Sequence, residues 1–187
     1  MPNIDSFYAE RHFVGSTRWK LTKNEMVEIY KNMLNPKAIK HLTKPKALNG
    51  MGFSKDDLAQ IKAAVEADPQ MKGLADWQIA EYRKWYKRVA PIYFAETGKK
   101  LPMEDYYSPI MVQKEFLDFE KENFAQEMFD RYRVDGYIEK GFTKARKAGA
   151  TQPIKLDAIG NHLYNIRRMQ HYVNFALPLK EFRSVMN

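Results

Sequence analysis

In this 187-residue chain, the clearest chemical pattern is a set of six cationic residues interleaved with aromatic rings. They are Arg83, Lys84, Lys87, Arg88, Lys99 and Lys100, and Tyr82, Trp85 and Tyr86 stand among them. Cationic groups neutralise phosphates and exposed rings stack on bases, so this composition predicts a surface for single-stranded nucleic acid. The alternative is a packed helix whose core rings are flanked by solvated side chains, because Trp85 falls on the predicted core face.

Carboxyl groups are the main candidates for catalysis. Glu104 and Asp105 stand beside Tyr106 and Tyr107 in a segment bounded by prolines, which restricts their side chains. A general acid requires a desolvated carboxyl group with a shifted pKa, and the sequence does not indicate desolvation. Tyrosines anchor many protein interfaces. We therefore interpret these four residues as a candidate protein interface, and we predict no catalytic residue.

The sequence predicts no metal site and no cofactor site. Its four histidines, His12, His41, His162 and His171, lack the spacing of metal ligands, and the chain has no cysteine. His162 and His171 are nine residues apart, so we expect one packed and one solvated histidine on the last helix. No serine stands in a Gly-x-Ser-x-Gly setting, and no glycine-rich phosphate loop is present. These patterns do not indicate an enzyme.

The charge and hydrophobic content restrict the class of protein. The formal net charge is +8, and residues 1–100 carry 18 Lys and Arg against 11 Asp and Glu. This surplus favours acidic partners, although lysine also serves solubility alone. With 44% hydrophobic residues the chain can bury a core. No apolar run has the length of a membrane span, and the first residues do not resemble a signal peptide.

The elements that must position these residues are predicted to be helices. A capping box at Thr22 and Glu25 opens a helix that ends at Asn35-Pro36, and Ser54 opens a second helix that ends near Asp68-Pro69. A third helix covers residues 71–97 and ends at Gly98, with Trp77 and Trp85 on its buried face. The lysine-rich stretch 31–46 is interpreted as a basic connector.

The second half of the chain is predicted to continue this pattern. A proline-bounded connector covers residues 101–109, a fourth helix residues 112–142 and a last helix residues 155–186, with Ile159, Leu163 and Ile166 on its buried side. No alternating strand is apparent. We predict an all-α bundle of about five helices, with the long helices kinked at Pro91 and Pro178. Residues 1–20 form an N-terminal arm, and residues 21–187 form one helical domain, with 21–110 and 111–187 as alternative subdomains.

Several short motifs carry a family resemblance. They are Leu21-Thr22-x-x-Glu25 running into Tyr30, Gly52-Phe53-Ser54, Leu74-Ala75-Asp76-Trp77, the Tyr93 to Pro102 stretch around Thr97-Gly98, Tyr106-Tyr107-Ser108-Pro109-Ile110, and His171-Tyr172-Val173 with Ala176-Leu177-Pro178-Leu179. Over residues 20–183 the chain resembles a helical module of the large polyvalent proteins of bacteriophages and prophages and of related virion-associated or ejected proteins. The resemblance implies a module that accompanies other activities, located in the host cytoplasm or the virion, with no catalytic residues to carry over.

Three hypotheses follow for the function. The first is a non-catalytic phage-type interaction or structural module that binds protein partners or itself. The second is a nucleic-acid-binding domain that uses the basic aromatic helix 82–100. The third is a small phage-encoded inhibitor of a host enzyme, because such a protein has a similar appearance. An enzyme built around Glu104 and Asp105 ranks last.

Overall fold

The protein contains six α-helices and one two-stranded sheet within the residues that the computed structural model describes, namely 4–15, 19–45, 50–102 and 154–186. In chain order the elements are α1 (Ile4–Ala9), β1 (Arg11–Val14), β2 (Trp19–Thr22), α2 (Lys23–Met33), α3 (Pro36–Thr43), α4 (Lys55–Ala67), α5 (Pro69–Thr97) and α6 (Ala158–Met186). The predicted all-α class is confirmed for this part of the chain. The predicted helix 112–142 lies outside it, and so do Glu104, Asp105, Tyr106 and Tyr107.

Local side-chain chemistry sets the helix boundaries. Thr22 Oγ1 accepts a hydrogen bond from the Glu25 amide at 3.2 Å, and the Glu25 carboxylate accepts from the Thr22 amide at 2.7 Å. Ser54 and Asp57 form the same reciprocal box at the start of α4. Asp68 caps α5, and Gly98 ends that helix in the left-handed region with φ 69°. The helix starts and stops predicted at these residues are confirmed.

Removing the first of these caps provides a test of the local contribution. We expect Thr22→Ala to lower the free energy of unfolding by about 1 kcal/mol, because a free amide of the first turn of α2 loses its acceptor. Denaturation by urea, followed by circular dichroism, measures the change. Ser184→Ala is the control, since the Ser184 hydroxyl is exposed and donates to a carbonyl near the end of α6. Equal stability of the two variants would contradict the prediction.

Residues 11–22 include two strands that the sequence did not indicate. β1 and β2 pair antiparallel, with Arg11 opposite Thr22 and Val14 opposite Trp19. Contacts distant in sequence hold this hairpin in place: the Gly15 amide donates to Gln60 Oε1 at 3.0 Å, and the Trp19 indole donates to Asp57 Oδ2 at 3.2 Å. The prediction of no strand is therefore wrong. Buried and exposed side chains do not alternate along either four-residue strand, so the period that indicates a strand is absent.

The lysine-rich stretch also contains a helix, α3, where a connector was predicted. Pro36 is its first residue, a position where proline is favourable because the first amides of a helix have no partner within the helix. Ala38 and Leu42 are fully buried. These two side chains are four residues apart and share one face of the helix, so they pack α3 against the core. The lysine-rich composition of this segment does not reveal that face, and it therefore predicted a connector.

The core consists of two adjoining clusters that α5 joins. The larger one surrounds α2 and includes Val27, Ile29 and Ile61, all fully buried. The smaller one lies between α5 and α6 and includes Tyr82, Val89, Met169 and Tyr172 in its interior.

The helices α5 and α6 run in the same direction. Gln78 donates to the Ala158 carbonyl at 3.0 Å near their starts, and Lys180 donates to the Ala95 carbonyl at 2.8 Å near their ends. Both helices continue through their prolines, Pro91 and Pro178, and a kink at either position stays a prediction. In the described ranges no helix combines the length and the apolar character that a bilayer crossing requires.

Candidate functional site

Four of the predicted nucleic-acid contacts share the outward side of α5. Arg83, Lys84, Lys87 and Arg88 are all exposed, and we call this set the basic face. The helical period places Arg83 above Lys87 in one row and Lys84 above Arg88 in the next. Each row spans about 6 Å along the helix axis, because an α-helix rises 1.5 Å per residue. The four cations therefore project from little more than one turn of α5.

The other two predicted contacts lie just beyond the end of the same helix. Lys99 and Lys100 follow the left-handed Gly98 and are exposed. The Lys99 amide donates to Thr97 Oγ1 at 3.2 Å, which fixes the backbone where the chain leaves α5. All six predicted residues are thus at the surface, one group on α5 and the other just after its end.

Lys84 and Arg88 of the basic face each have an immediate partner on α5. Lys84 Nζ lies 3.0 Å from Glu81 Oε2, and the Lys84 side chain is nevertheless 68% exposed. An ammonium group has three donors, and this ion pair occupies one of them. The Arg88 guanidinium lies 5.0 Å from the centroid of the Trp85 ring, a cation–π contact, and the Arg88 side chain is exposed.

The two tryptophans of α5 were both predicted on its buried face, and they have different environments in the structure. Trp77 was placed in the core, but the structure leaves it 53% exposed. Trp85 is half-buried and packs against the cluster that contains Tyr82 and Val89. The buried side of α5 is instead marked by Met71, Ala75 and Gln78, and a tryptophan two residues from Ala75 falls outside it. The prediction for Trp77 is wrong because its position on the helix lies outside the side of α5 that packs against the rest of the protein.

Trp77 lies on the same side of α5 as part of the basic face. It precedes Lys84 by seven residues and Arg88 by eleven, which are two and three helical turns. Its ring contacts the buried imidazole of His162 with a centroid distance of 4.8 Å. The i, i+7, i+11 spacing of one ring and two cations was visible in the sequence, and it is the signal that identifies Trp77 as a surface residue.

The buried side of α6 is polar, which the sequence did not indicate. Leu163 was predicted to be buried, but it is 64% exposed. The buried positions include Asn161, His162 and Asn165, followed by Met169. The prediction for Leu163 is wrong because the stripe was assigned from aliphatic residues alone, whereas three of the buried side chains in this part of α6 are polar.

An ion pair in α2 is buried close to this polar side of α6. Lys31 Nζ lies 2.9 Å from Glu28 Oε2, and the two side chains are 1% and 0% exposed. Asn32 Nδ2 donates to the Glu28 carbonyl at 2.8 Å and to Glu28 Oε1 at 3.0 Å. Together with Gln78, Asn161 and His162, these three residues are the buried polar cluster. It joins α2, α5 and α6.

His162 is the residue of the buried polar cluster whose pKa is clearly shifted from its ordinary value. Its ring lies 4.8 Å from that of Trp77 and 4.9 Å from that of Tyr82, and only 3% of the residue is exposed. The pKa of His162 is lowered to about 4, mainly by burial and then by the Lys31 charge, while the Glu81 charge acts in the opposite direction. The imidazole is therefore neutral at physiological pH. The packed histidine predicted for this helix is His162, and His171 is half-buried.

Other atoms of the buried polar cluster are only partly satisfied. Gln78 Nε2 donates to the Ala158 carbonyl and Asn161 Nδ2 to the Lys155 carbonyl, both at 3.0 Å. The side-chain oxygens of Asn32, Gln78 and Asn161 and Nδ1 of His162 have no hydrogen-bond partner among the described residues. Glu, Lys and His are the residue types of acid–base chemistry, yet all three lie out of contact with solvent here.

Within the described ranges, no three His, Asp or Glu side chains are grouped as metal ligands.

Compared with known proteins, the chain matches no family model, and neither a curated protein nor a solved structure matches it significantly.

Proposed function

We propose that this chain is a non-catalytic binding module and that nucleic acid is its ligand, contacted through the basic face of α5. The observation that carries the proposal is the arrangement of Arg83, Lys84, Lys87 and Arg88, four exposed cations in two rows on a continuous helix. Phosphate groups are neutralised by cations at this density, and a rigid helix holds the cations in place at little entropic cost.

The burial of the reactive residue types supports a non-catalytic role. Glu28, Lys31 and His162 could serve acid–base chemistry, but each is at most 3% exposed, so a substrate in solution does not contact them in this conformation. The resemblance to modules of phage polyvalent proteins, which accompany other activities, agrees with a binding role.

Loss of the basic face is the direct test of the proposal. We expect the variant with alanine at Arg83, Lys84, Lys87 and Arg88 to bind a fluorescein-labelled single-stranded oligonucleotide at least tenfold more weakly, since up to four phosphate contacts disappear. Fluorescence anisotropy measures the affinity at several salt concentrations. For the wild-type protein the logarithm of the affinity falls steeply with the logarithm of the salt concentration, and for the variant the slope is shallower.

A matched variant separates a specific face from net charge. Four exposed lysines on other elements, Lys20, Lys40, Lys55 and Lys62, are changed to alanine, which removes the same charge. We expect this control to keep an affinity within about threefold of the wild-type value, since distant charges are screened at physiological salt. Equal losses in the two variants, or wild-type binding that does not change with salt, would contradict the proposal.

The competing hypothesis is a module that binds a protein partner, a host enzyme or another copy of the chain. Its candidate residues, Glu104, Asp105, Tyr106 and Tyr107, lie outside the described part of the chain. A pulldown from infected or lysogenic host extract, performed with and without nuclease, distinguishes the two. Partners that persist after nuclease treatment favour protein binding, and partners that disappear favour nucleic acid.

A further inference from the structure

The indole of Trp77 is anchored on one side and open on the other. Its ring contacts His162 at a centroid distance of 4.8 Å, and His162 is in turn held against Tyr82 at 4.9 Å. These contacts fix the orientation of Trp77, while 53% of the residue stays exposed. A large ring that is held in place and still accessible loses little conformational freedom on binding a planar ligand.

The surroundings of Trp77 on α5 combine this ring with positive charge. Lys84 and Arg88 follow on the same strip, roughly 10 and 16 Å along the helix axis from Trp77. Glu81 lies between Trp77 and Lys84 on that strip, is half-buried and forms the ion pair with Lys84 at 3.0 Å. The negative charge of Glu81 is thereby offset, and the cations of the basic face outnumber it.

We propose that Trp77 is a stacking platform for an unpaired base, so that the basic face prefers single-stranded nucleic acid to duplex. This inference rests on the proposed function and specifies its ligand. In a duplex both faces of each base are covered by neighbouring bases, whereas a single strand presents free faces that stack on an exposed aromatic ring. Phosphates of the same strand then contact Lys84 and Arg88.

Tryptophan fluorescence reports the stacking directly. The full-length protein is titrated with an oligothymidine of about 20 nucleotides, which exceeds the site size of typical single-strand binders, and with a duplex of the same length. We expect the single strand to quench the wild-type emission and the duplex to leave it nearly unchanged. Trp77→Phe removes the quenching, because the remaining tryptophans, Trp19 and Trp85, are partly buried.

Affinities of two variants complete the test. We expect Trp77→Ala to weaken single-strand binding about tenfold and duplex binding less than twofold, and Trp77→Phe to recover part of the loss, since a smaller ring still stacks. Circular dichroism melting confirms that both variants are folded.

The outcomes separate this inference from the function on which it rests. If Trp77→Ala weakens both ligands equally or neither, or if wild-type emission is not quenched, the stacking platform is overturned. The basic-face function still stands in that case, provided that the four-alanine variant of the basic face loses binding. Failure of the wild-type protein to bind either ligand overturns both.

Discussion

Replacing Lys31 with methionine is expected to lower the free energy of unfolding by about 3 to 5 kcal/mol, because the substitution leaves a buried carboxylate without its counter-ion. Glu28 is fully buried in α2, and its carboxylate lies 2.9 Å from the Lys31 ammonium. Asn32 Nδ2 donates a hydrogen bond to the other carboxylate oxygen, Oε1, at 3.0 Å. A single neutral amide does not offset the desolvation of a full charge.

The double variant Glu28→Leu with Lys31→Met provides the decisive comparison. We expect it to be within about 2 kcal/mol of the wild-type stability, because removing both charges also removes both desolvation penalties. Lys62→Met is a matched control, since Lys62 pairs with Glu66 across 3.9 Å on the exposed side of α4. Its expected effect is below about 1 kcal/mol. Urea denaturation of the four proteins measures these values, and a Lys31→Met loss no larger than that of Lys62→Met would contradict the prediction.

Helix boundaries were predictable because the chemistry that sets them is local. Thr22 and Glu25, or Ser54 and Asp57, are three residues apart, and each pair forms its hydrogen bonds whatever the rest of the chain does. The hairpin near Gly15 depends on Gln60, 45 residues away, through a hydrogen bond that no local pattern reveals. Whether a short strand forms depends on tertiary contacts of this kind, which cannot be predicted from the local sequence.

In the candidate site, too, features set by local sequence could be predicted, and features set by tertiary packing could not. The basic face was predictable, since Lys and Arg side chains are rarely buried and four of them share one side of a helix. The buried polar cluster was not, because Glu28 and Lys31 stand at i and i+3 and resemble an ordinary solvated pair. The packing of the other elements against α2 removes them from water. The exposure of Trp77 was also not predicted, because an aromatic residue in a helical pattern was assigned to the core and the structure places it at the surface.

Acidification is expected to weaken the fold through His162. The pKa of His162 is lowered from 6.5 to about 4, mainly by burial, then by the Lys31 charge, with Glu81 acting in the opposite direction. The unfolded chain, with an ordinary histidine, therefore binds a proton at a higher pH than the folded chain does. Stability is fully present above about pH 6.5 and falls as the pH drops from there toward 4.

The size and the origin of this loss can both be measured. Each pKa unit corresponds to about 1.4 kcal/mol, and partial relaxation around the ring reduces the total to about 2 to 3 kcal/mol. The groups that face the imidazole are Lys31 and Glu81, with Glu28 paired to Lys31, so a charged His162 would stand beside an ammonium group already buried with its own partner. The carboxylates with lowered pKa values, Asp68 and Asp157, lose their contributions at still lower pH.

Variants at the two histidines of α6 assign the effect. Urea denaturation at intervals between pH 7 and pH 4 should show a decline for the wild-type protein that is flattened in His162→Gln, which cannot titrate in this range. His171→Gln should decline like the wild type, because His171 is only half-buried and stacks on the exposed Phe175. An unchanged decline in His162→Gln would place the acid sensitivity elsewhere. Because the His162 ring also supports Trp77, the tryptophan emission of the wild-type protein should change over the same pH interval, before unfolding is complete.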